Sequence, residues 1–267
     1  MELSRFRRAP GSRPVVYGHR GAKAHVVENT LPSFERAIAD GADGVELDVR
    51  TTRDGVVVVM HDLDVKRMTG GRDPRLVQEL SAQELSAIEL EGPAGPARAP
   101  TLGDVLDWAD ARDVLVNIEL KHDTHDKAAL ANGVARLIRS RRRARPARLM
   151  FSSFEPELLA RIAVAAPDLP RAFLIHAGQR LAKTLVAPLV AKATRSFALN
   201  PERTLCSPDR VAGWHRRGLM VNVWTVNDPR EAIDLARIGV DGLITDDPAT
   251  VLAALSPSRS AARDSDR

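Results

Sequence analysis

The sequence predicts an α/β chain folded as a (β/α)8 TIM barrel, and three observations carry that prediction. Short β-type runs alternate with amphipathic helical segments from residue 14 to residue 255. Setting aside one hairpin arm, the strands count to eight, each followed by a helical segment. Eight such units in about 250 residues is the size and rhythm of this barrel. A doubly wound open sheet competes, but no Gly-x-Gly-x-x-Gly follows the first strand. No linker divides the 267 residues, so 14–255 read as one domain. Residues 1–13 are expected to form a flexible N-terminus. Residues 256–267, rich in Ser, Arg and Asp, are expected to form a disordered tail.

In chain order, Pro14-Val15-Val16-Tyr17-Gly18 is a short buried strand that runs into His19-Arg20-Gly21. A helix over Thr30–Asp40 follows: Leu31, Phe34, Ala37 and Ile38 fall at helical spacing, Asn29 or Thr30 caps it, and Pro32 is tolerated in the first turn. The next strand, Val45-Glu46-Leu47-Asp48-Val49, alternates apolar and acidic residues and is expected to make a hairpin with Val56–His61 through Asp54-Gly55. A two-residue turn there pairs residues 53 and 56 and sets His61 across from Asp48. Glycine and proline break residues 62–100, apart from a short helix at Ser81–Leu90 with a capping-box start. This β-hairpin arm and insertion after the second strand are expected to supply a lid or wall.

Beyond it come a helix at Leu102–Ala111 and strands at Val114–Leu120, Arg148–Ser152, Ala172–Ile175, Ser196–Leu199, Met220–Trp224 and Gly242–Thr245. Helices at about 125–141, 155–166, 179–191, 207–217 and 229–238 separate them.

Hydrophobic content of 44% with a net charge of +4 suits a soluble globular protein. The sequence pI near 9.6 is an ordinary solubility feature that also favours anionic substrates. Cys206 is the single cysteine, which excludes an internal disulfide and fits a reducing, cytoplasmic setting. No apolar run is long enough to span a bilayer, so no stable membrane insertion is expected. The arginine-rich run 139–148 lacks an aromatic platform and reads as a solvated face, not a nucleic-acid site.

In such a barrel, chemistry sits at the C-terminal strand ends. The polar residues gathered there are His19 and Arg20 on strand one and Glu46 and Asp48 on strand two, with His61 folded back over them. Strand three brings Glu119 and Lys121, two apart and so on one face; strand four brings Ser152-Ser153-Phe154. Trp224-Thr225-Val226-Asn227 end strand seven, and Thr245-Asp246-Asp247 end strand eight. Three carboxylates in one mouth repel unless a cation lies among them, and an all-oxygen set selects a hard ion, Mg²⁺ or Ca²⁺. Two imidazoles beside Arg20 and Lys121 suit proton transfer in both directions on an anionic phosphodiester.

These segments also carry a resemblance. His19-Arg20-Gly21, Glu28-Asn29-Thr30, residues 41–49, Asp54-Gly55, His61-Asp62, Glu119-Leu120-Lys121, Ser152-Ser153-Phe154, 223–227 and 241–246, in that order, are similar to the signature of the glycerophosphodiester phosphodiesterases. That family lies within the phosphatidylinositol phospholipase C-like superfamily. The resemblance implies one divalent cation held by Glu46, Asp48 and Glu119 and an acid/base pair at His19 and His61. It also implies small-molecule substrates that yield glycerol 3-phosphate and an alcohol.

Arg20 and Lys121 read as substrate-binding residues, Lys121 with charge balance for Glu119 as an equal reading. Trp224 reads as a wall for glycerol. Glu28 and Asn29 read as loop-fixing residues and Phe154 as packing. His25, His122, His125, His176 and His215 read as surface or structural. A lysophospholipase D acting on lysolipids is the alternative function, and it needs an apolar groove near 62–100. A non-catalytic barrel serving as a binding module is the third, and it expects a missing acid, base or ligand.

Overall fold

The computed structural model describes residues 3–141, 148–179 and 181–256, the side chains of 181–184 excepted. The tail expected beyond Ser256 and most of the arginine-rich run lie outside the described residues. Eight parallel strands close a barrel: β1 (Val15–His19), β2 (Gly44–Thr51), β4 (Leu115–Leu120), β5 (Leu149–Ser153), β6 (Arg171–Ile175), β7 (Ala198–Pro201), β8 (Met220–Val223) and β9 (Gly242–Thr245). The order is β1-β9-β8-β7-β6-β5-β4-β2, and β1 pairs with β2 to close the ring. The arm β3 (Val57–Val59) runs antiparallel on β2.

Helices fill the outside: α1 (Leu31–Ala39), α3 (Leu102–Arg112), α4 (Lys127–Ser140), α5 (Pro156–Ala165), α6 (Leu181–Ala193), α7 (Pro208–His215), α8 (Pro229–Arg237) and α9 (Pro248–Leu255). Local chemistry starts them. Thr30, Thr101, Asp126, Ser207, Asp228 and Asp247 each accept a hydrogen bond from a backbone N–H of the first turn. The segment α9, left without bounds in the sequence reading, is capped in the same way. Strand β7 begins two residues later than expected, because Ser196 still belongs to the turn that caps α6. Its N–H donates to Ala191 O at 2.7 Å after Arg195 reverses the chain at φ 53°.

Three differences from expectation matter for the site. The hairpin loop has three residues, Arg53-Asp54-Gly55, with Thr52 N–H donating to Val56 O at 3.0 Å and Gly55 at φ 78°. Asp54 accepts from Thr52 Oγ1 at 2.6 Å and from the Ala82 N–H at the start of α2 (Ala82–Ala87), which sets this longer turn. The register therefore shifts by one. Val49 pairs with Val59, and Met60, not His61, hydrogen-bonds Asp48.

The N-terminal segment, expected to be flexible, packs in its described part. Phe6 is fully buried with Tyr17, Leu115, Met150, Ala172, Ala198, Met220 and Ile244, which close the barrel floor. Arg5 pairs with Asp113, and Arg8 Nη1 donates to Ala236 O at 2.6 Å.

The insertion 62–100 builds its own small core from Val65, Met68, Val77, Leu80, Leu85 and Leu90 on Val27, Val58 and Met60. None of its residues lines the cavity described next. It braces the site instead of walling it.

Candidate active site

The seam between β1 and β2 organises the mouth. Along one edge of β2, His19 of β1 stands beside Glu46, and farther along Met60 and Val59 of the arm stand beside Asp48 and Val49. His61 thus enters the gap where β1 has ended and the arm has not begun. Both imidazoles line a cavity of about 580 Å³ together with Glu46, Glu119, Lys121 and Trp224.

On its other edge β2 pairs with β4, Asp48 beside Glu119. The period-two alternation of β2 and β4 turns Glu46, Asp48 and Glu119 to one side, where one carboxylate oxygen from each lies within 4.8 Å of the others. All three are buried. Lys121 Nζ reaches Glu119 at 3.1 Å and Asp48 at 3.3 Å, and Arg20 Nε reaches Asp48 at 3.2 Å. These two cations do not neutralise the cluster evenly. Burial, then Asp48 and Glu119, push Glu46 well above the usual carboxylate range. Burial raises Glu119 as well, against the pull of Lys121. For Asp48 burial is outweighed by Lys121 and Arg20, which hold it low. An oxygen-only donor set with two under-compensated members fits a hard metal cation.

Each histidine is oriented from behind. His19 Nδ1 lies 2.6 Å from Asp246 Oδ1, and His61 Nδ1 lies 2.7 Å from Asp62 Oδ1. Among the described residues Nε2 of each ring neither accepts nor donates a hydrogen bond, and that of His19 stands 3.9 Å from Glu46. Burial lowers the His19 pKa, with the Asp246 hydrogen bond opposing it. The sequence placed Asp246 at the mouth and Asp62 beside His61 but assigned neither a role; the structure sets each against an imidazole. Asp62 follows His61 directly, but Asp246 is separated from His19 by nearly the whole chain, and only barrel closure through the β1–β9 pairing joins them.

The loop between β1 and α1 completes the frame. Asn29 donates from Nδ2 to Asp48 at 2.9 Å and Arg20 donates from Nη1 to Glu28 at 2.8 Å, so Glu28 and Asn29 fix the loop and orient neighbours, as read from the sequence. Arg20 and Asn29 both take left-handed backbone, at φ 53° and 57°. Asparagine tolerates that region; arginine seldom does. The twist turns the Arg20 N–H toward Glu46 Oε2 at 3.2 Å.

The opposite wall corrects the sequence reading. His122 and His176, taken as surface or structural, line the cavity with Phe154, taken as packing. Phe154 meets His122, His176 and Trp224 edge-on, each at 5.6 Å between ring centres. Their grouping was illegible because they follow three different strands and share a wall only through the barrel. Trp224 is held by Nε1 donating to Asn200 O at 2.8 Å. His25 and His215 pair with Asp247 and Asp241, which agrees with structural roles.

Comparison with known proteins gives a consistent result. The model of the glycerophosphoryl diester phosphodiesterase family matches residues 19–250. A glycerophosphodiester phosphodiesterase of Caldanaerobacter subterraneus is 33% identical over 246 residues, covering 90% of this chain and 97% of its own. A crystal structure from Silicibacter pomeroyi, provisionally assigned as a glycerophosphoryl diester phosphodiesterase, matches with a TM-score of 0.84. Its identity is 29%, over 95% of this chain and 96% of that one. The glycerophosphodiester phosphodiesterase of Thermotoga maritima gives 0.71 at 29% identity, over 90% and 96%.

Proposed function

The chain belongs to the glycerophosphoryl diester phosphodiesterase family, and from that premise we propose that it hydrolyses glycerophosphodiesters to sn-glycerol 3-phosphate and an alcohol. One divalent cation, Mg²⁺ or Ca²⁺, and the pair His19 and His61 serve the reaction. The observation that carries this reading is the pair of imidazoles, each backed by a carboxylate at Nδ1 and lining one cavity with Glu46 and Glu119.

Glu46, Asp48 and Glu119 would hold the cation, which supplies positive charge to the phosphate oxygens and polarises phosphorus. The chain's own groups do the rest. Arg20 and Lys121 keep Asp48 ionised and add positive charge beside the phosphate, and Trp224 walls the glycerol moiety. One imidazole takes the proton of the glycerol 2-hydroxyl as its oxygen attacks phosphorus, while the other gives a proton to the departing alcohol oxygen. The cyclic phosphate so formed is then opened by water with the two roles exchanged. Proton count balances over the two steps, and both histidines return to their starting forms.

No residue of 62–100 lines the cavity, so this cavity gives the lysolipid alternative no support from the segment it calls on. No acid, base or ligand is missing, against the expectation of a non-catalytic module. The lone Cys206 fits the cytoplasmic expectation. Among the described residues no helix is long and apolar enough to cross a membrane.

The test is glycerol 3-phosphate release from glycerophosphocholine with and without chelator, for the wild type, His19→Ala and His61→Ala. Each substitution should lower kcat by roughly 10²–10⁴-fold, and chelation should abolish turnover until Mg²⁺ or Ca²⁺ is restored. Unchanged turnover in both variants sinks the acid/base assignment. Oxygen-18 from water enters the product by either route, so it is the lack of a trappable cyclic phosphate that argues against internal attack.

A further inference from the structure

A surface helix is ordinarily apolar on one side only, and α6 is not. Every side chain from Leu185 to Ala191 is apolar. Ala187 and Ala191, one turn apart, are fully buried in one cluster with Leu199 of β7 and Val211 of α7. On the outer side Leu185 and Leu189, also one turn apart, stand 69% and 68% exposed, with Val186 at 42%. They form an apolar ridge between two grooves. One, of about 870 Å³, runs between Leu185, Pro188 and Leu189 and the chain at Phe197 and Leu219. The other lies between α6 and α7 and shares Leu185 and Pro188. Phe197 and Leu219 immediately precede β7 and β8, so this face lies toward the end of the barrel opposite the mouth.

The rim of these grooves is cationic. Lys192, Arg195, Arg210, Arg216 and Arg217 line them, and Asp209 is the one carboxylate among the lining residues. None of the five cations has an ion pair among the described residues; Arg210 and Arg217 donate only to backbone, at Leu205 O and Gly213 O. Arginines elsewhere on the surface differ: Arg72 pairs with Glu91, Arg161 with Glu157 and Arg203 with Glu231. An apolar ridge fringed by uncompensated positive charge fits a partner that is both apolar and anionic. The chain's own segments 142–147 and 257–267 are neither, since alanine and proline are their only apolar residues and arginine outnumbers aspartate in both. A second copy docked on the same face would set five cations against five. A bilayer with anionic phospholipid offers phosphates to the cations and an acyl boundary to the ridge, and it demands no matching shape.

We propose that the outer face of α6 docks the protein on an anionic phospholipid surface. Leu185, Val186 and Leu189 enter the boundary between headgroups and acyl chains, and the five cations lie against lipid phosphates. The contact is peripheral and reversible. Three aliphatic side chains fall far short of a spanning segment, and the attraction that brings the face to the surface is screened by salt. None of these residues lines the catalytic cavity, so a docked molecule keeps its mouth open to solution. Binding and turnover are therefore separate readouts, and neither depends on the other.

Co-sedimentation with sucrose-loaded vesicles tests this, using phosphatidylcholine alone or an equimolar mixture with phosphatidylglycerol. Wild type should pellet with the mixed vesicles, stay in solution with phosphatidylcholine, and be released as salt is raised. Leu185→Ser with Leu189→Ser, and separately Lys192→Glu with Arg216→Glu, should each weaken the partition on the order of tenfold or more. Both variants should keep wild-type kcat/KM on glycerophosphocholine. Should the serine pair melt early, Leu185→Ala with Leu189→Ala decides in its place. Arg72→Glu with Arg98→Glu makes the same change of charge on the insertion and should bind like the wild type. The docking face is overturned if wild type ignores the mixed vesicles, if the leucine pair binds them unchanged, or if the insertion pair loses as much as the α6 pair. It is also overturned if wild type ignores vesicles but binds an acidic amphipathic peptide of leucine and glutamate, or if light scattering shows a dimer that the leucine pair dissolves. The face is then a protein interface. A wild type that pellets with mixed vesicles yet turns over no diester upholds the docking face and sinks the phosphodiesterase reading instead.

Discussion

At the scale of single residues, the site is a set of side chains whose charge or tautomer is fixed by a second side chain. His19 is held by Asp246 and His61 by Asp62, in both cases through Nδ1. A carboxylate there selects the tautomer with its proton on Nδ1 and leaves Nε2 for the substrate. Asp246→Asn preserves the shape but removes that preference and the support for a charged imidazole. Its kcat should fall within the roughly 10²–10⁴-fold that the imidazole itself supplies, with KM little changed and the melting temperature nearly kept. A KM effect alone would make Asp246 a substrate contact, not a positioning residue. His19, His61, Glu46, Asp48 and Glu119 were legible because strand alternation or adjacency to a strand end announces each of them. Asp246 was placed at the mouth as well, but its partnership with His19 was not legible, since the two lie 227 positions apart.

At the scale of elements, the arm and insertion act through one polar chain. Arg67 donates from Nε to Asp62 at 2.6 Å and from Nη2 to Glu28 at 2.7 Å, and Glu28 in turn accepts from Arg20. The satellite core of 62–100 thereby grips both His61 and the loop that carries Arg20. Arg67 is about half exposed, so its ion pairs contribute only about 0–1 kcal/mol to folding. Arg67→Ala should therefore leave the urea midpoint almost unmoved while kcat drops several-fold. Equal activity with equal stability would show that the insertion does not brace the histidine. The arm also shows where sequence reasoning stopped. Asp54-Gly55 announces a turn, but its three-residue form goes with Asp54 accepting from both Thr52 Oγ1 and the distant Ala82 N–H, and the second contact has no local signal. The added turn residue decides which side chain faces Asp48, and it puts Met60 there.

At the scale of the whole molecule, the barrel was legible because its repeat is sequence-local: each strand and helix announces itself, and eight of them have one closed arrangement. What fills the barrel was less so. The apolar floor capped by Phe6 is assembled from most of the strands, and the burial of Phe6 has no periodic signal in residues 1–13. The charged rim above it has a consequence for stability. Without a cation, Glu46 is a buried carboxylate pushed toward its neutral form by burial, Asp48 and Glu119, so folding works against its charge. A cation among the three acids reverses that sign. Adding Mg²⁺ or Ca²⁺ at about a hundredfold over its dissociation constant should stabilise the fold by about 2.7 kcal/mol, a rise in melting temperature on the order of 5–10 °C. Glu46→Gln keeps an acceptor for the Arg20 N–H but removes the charge. In chelator it should melt at or above the wild type; with metal it should melt below, because a ligand is lost. The two melting curves must cross as metal is added. If Glu46→Gln is less stable in chelator as well, the carboxylate cluster is a structural ion-pair network tuned to Arg20 and Lys121, and the case for a metal there fails.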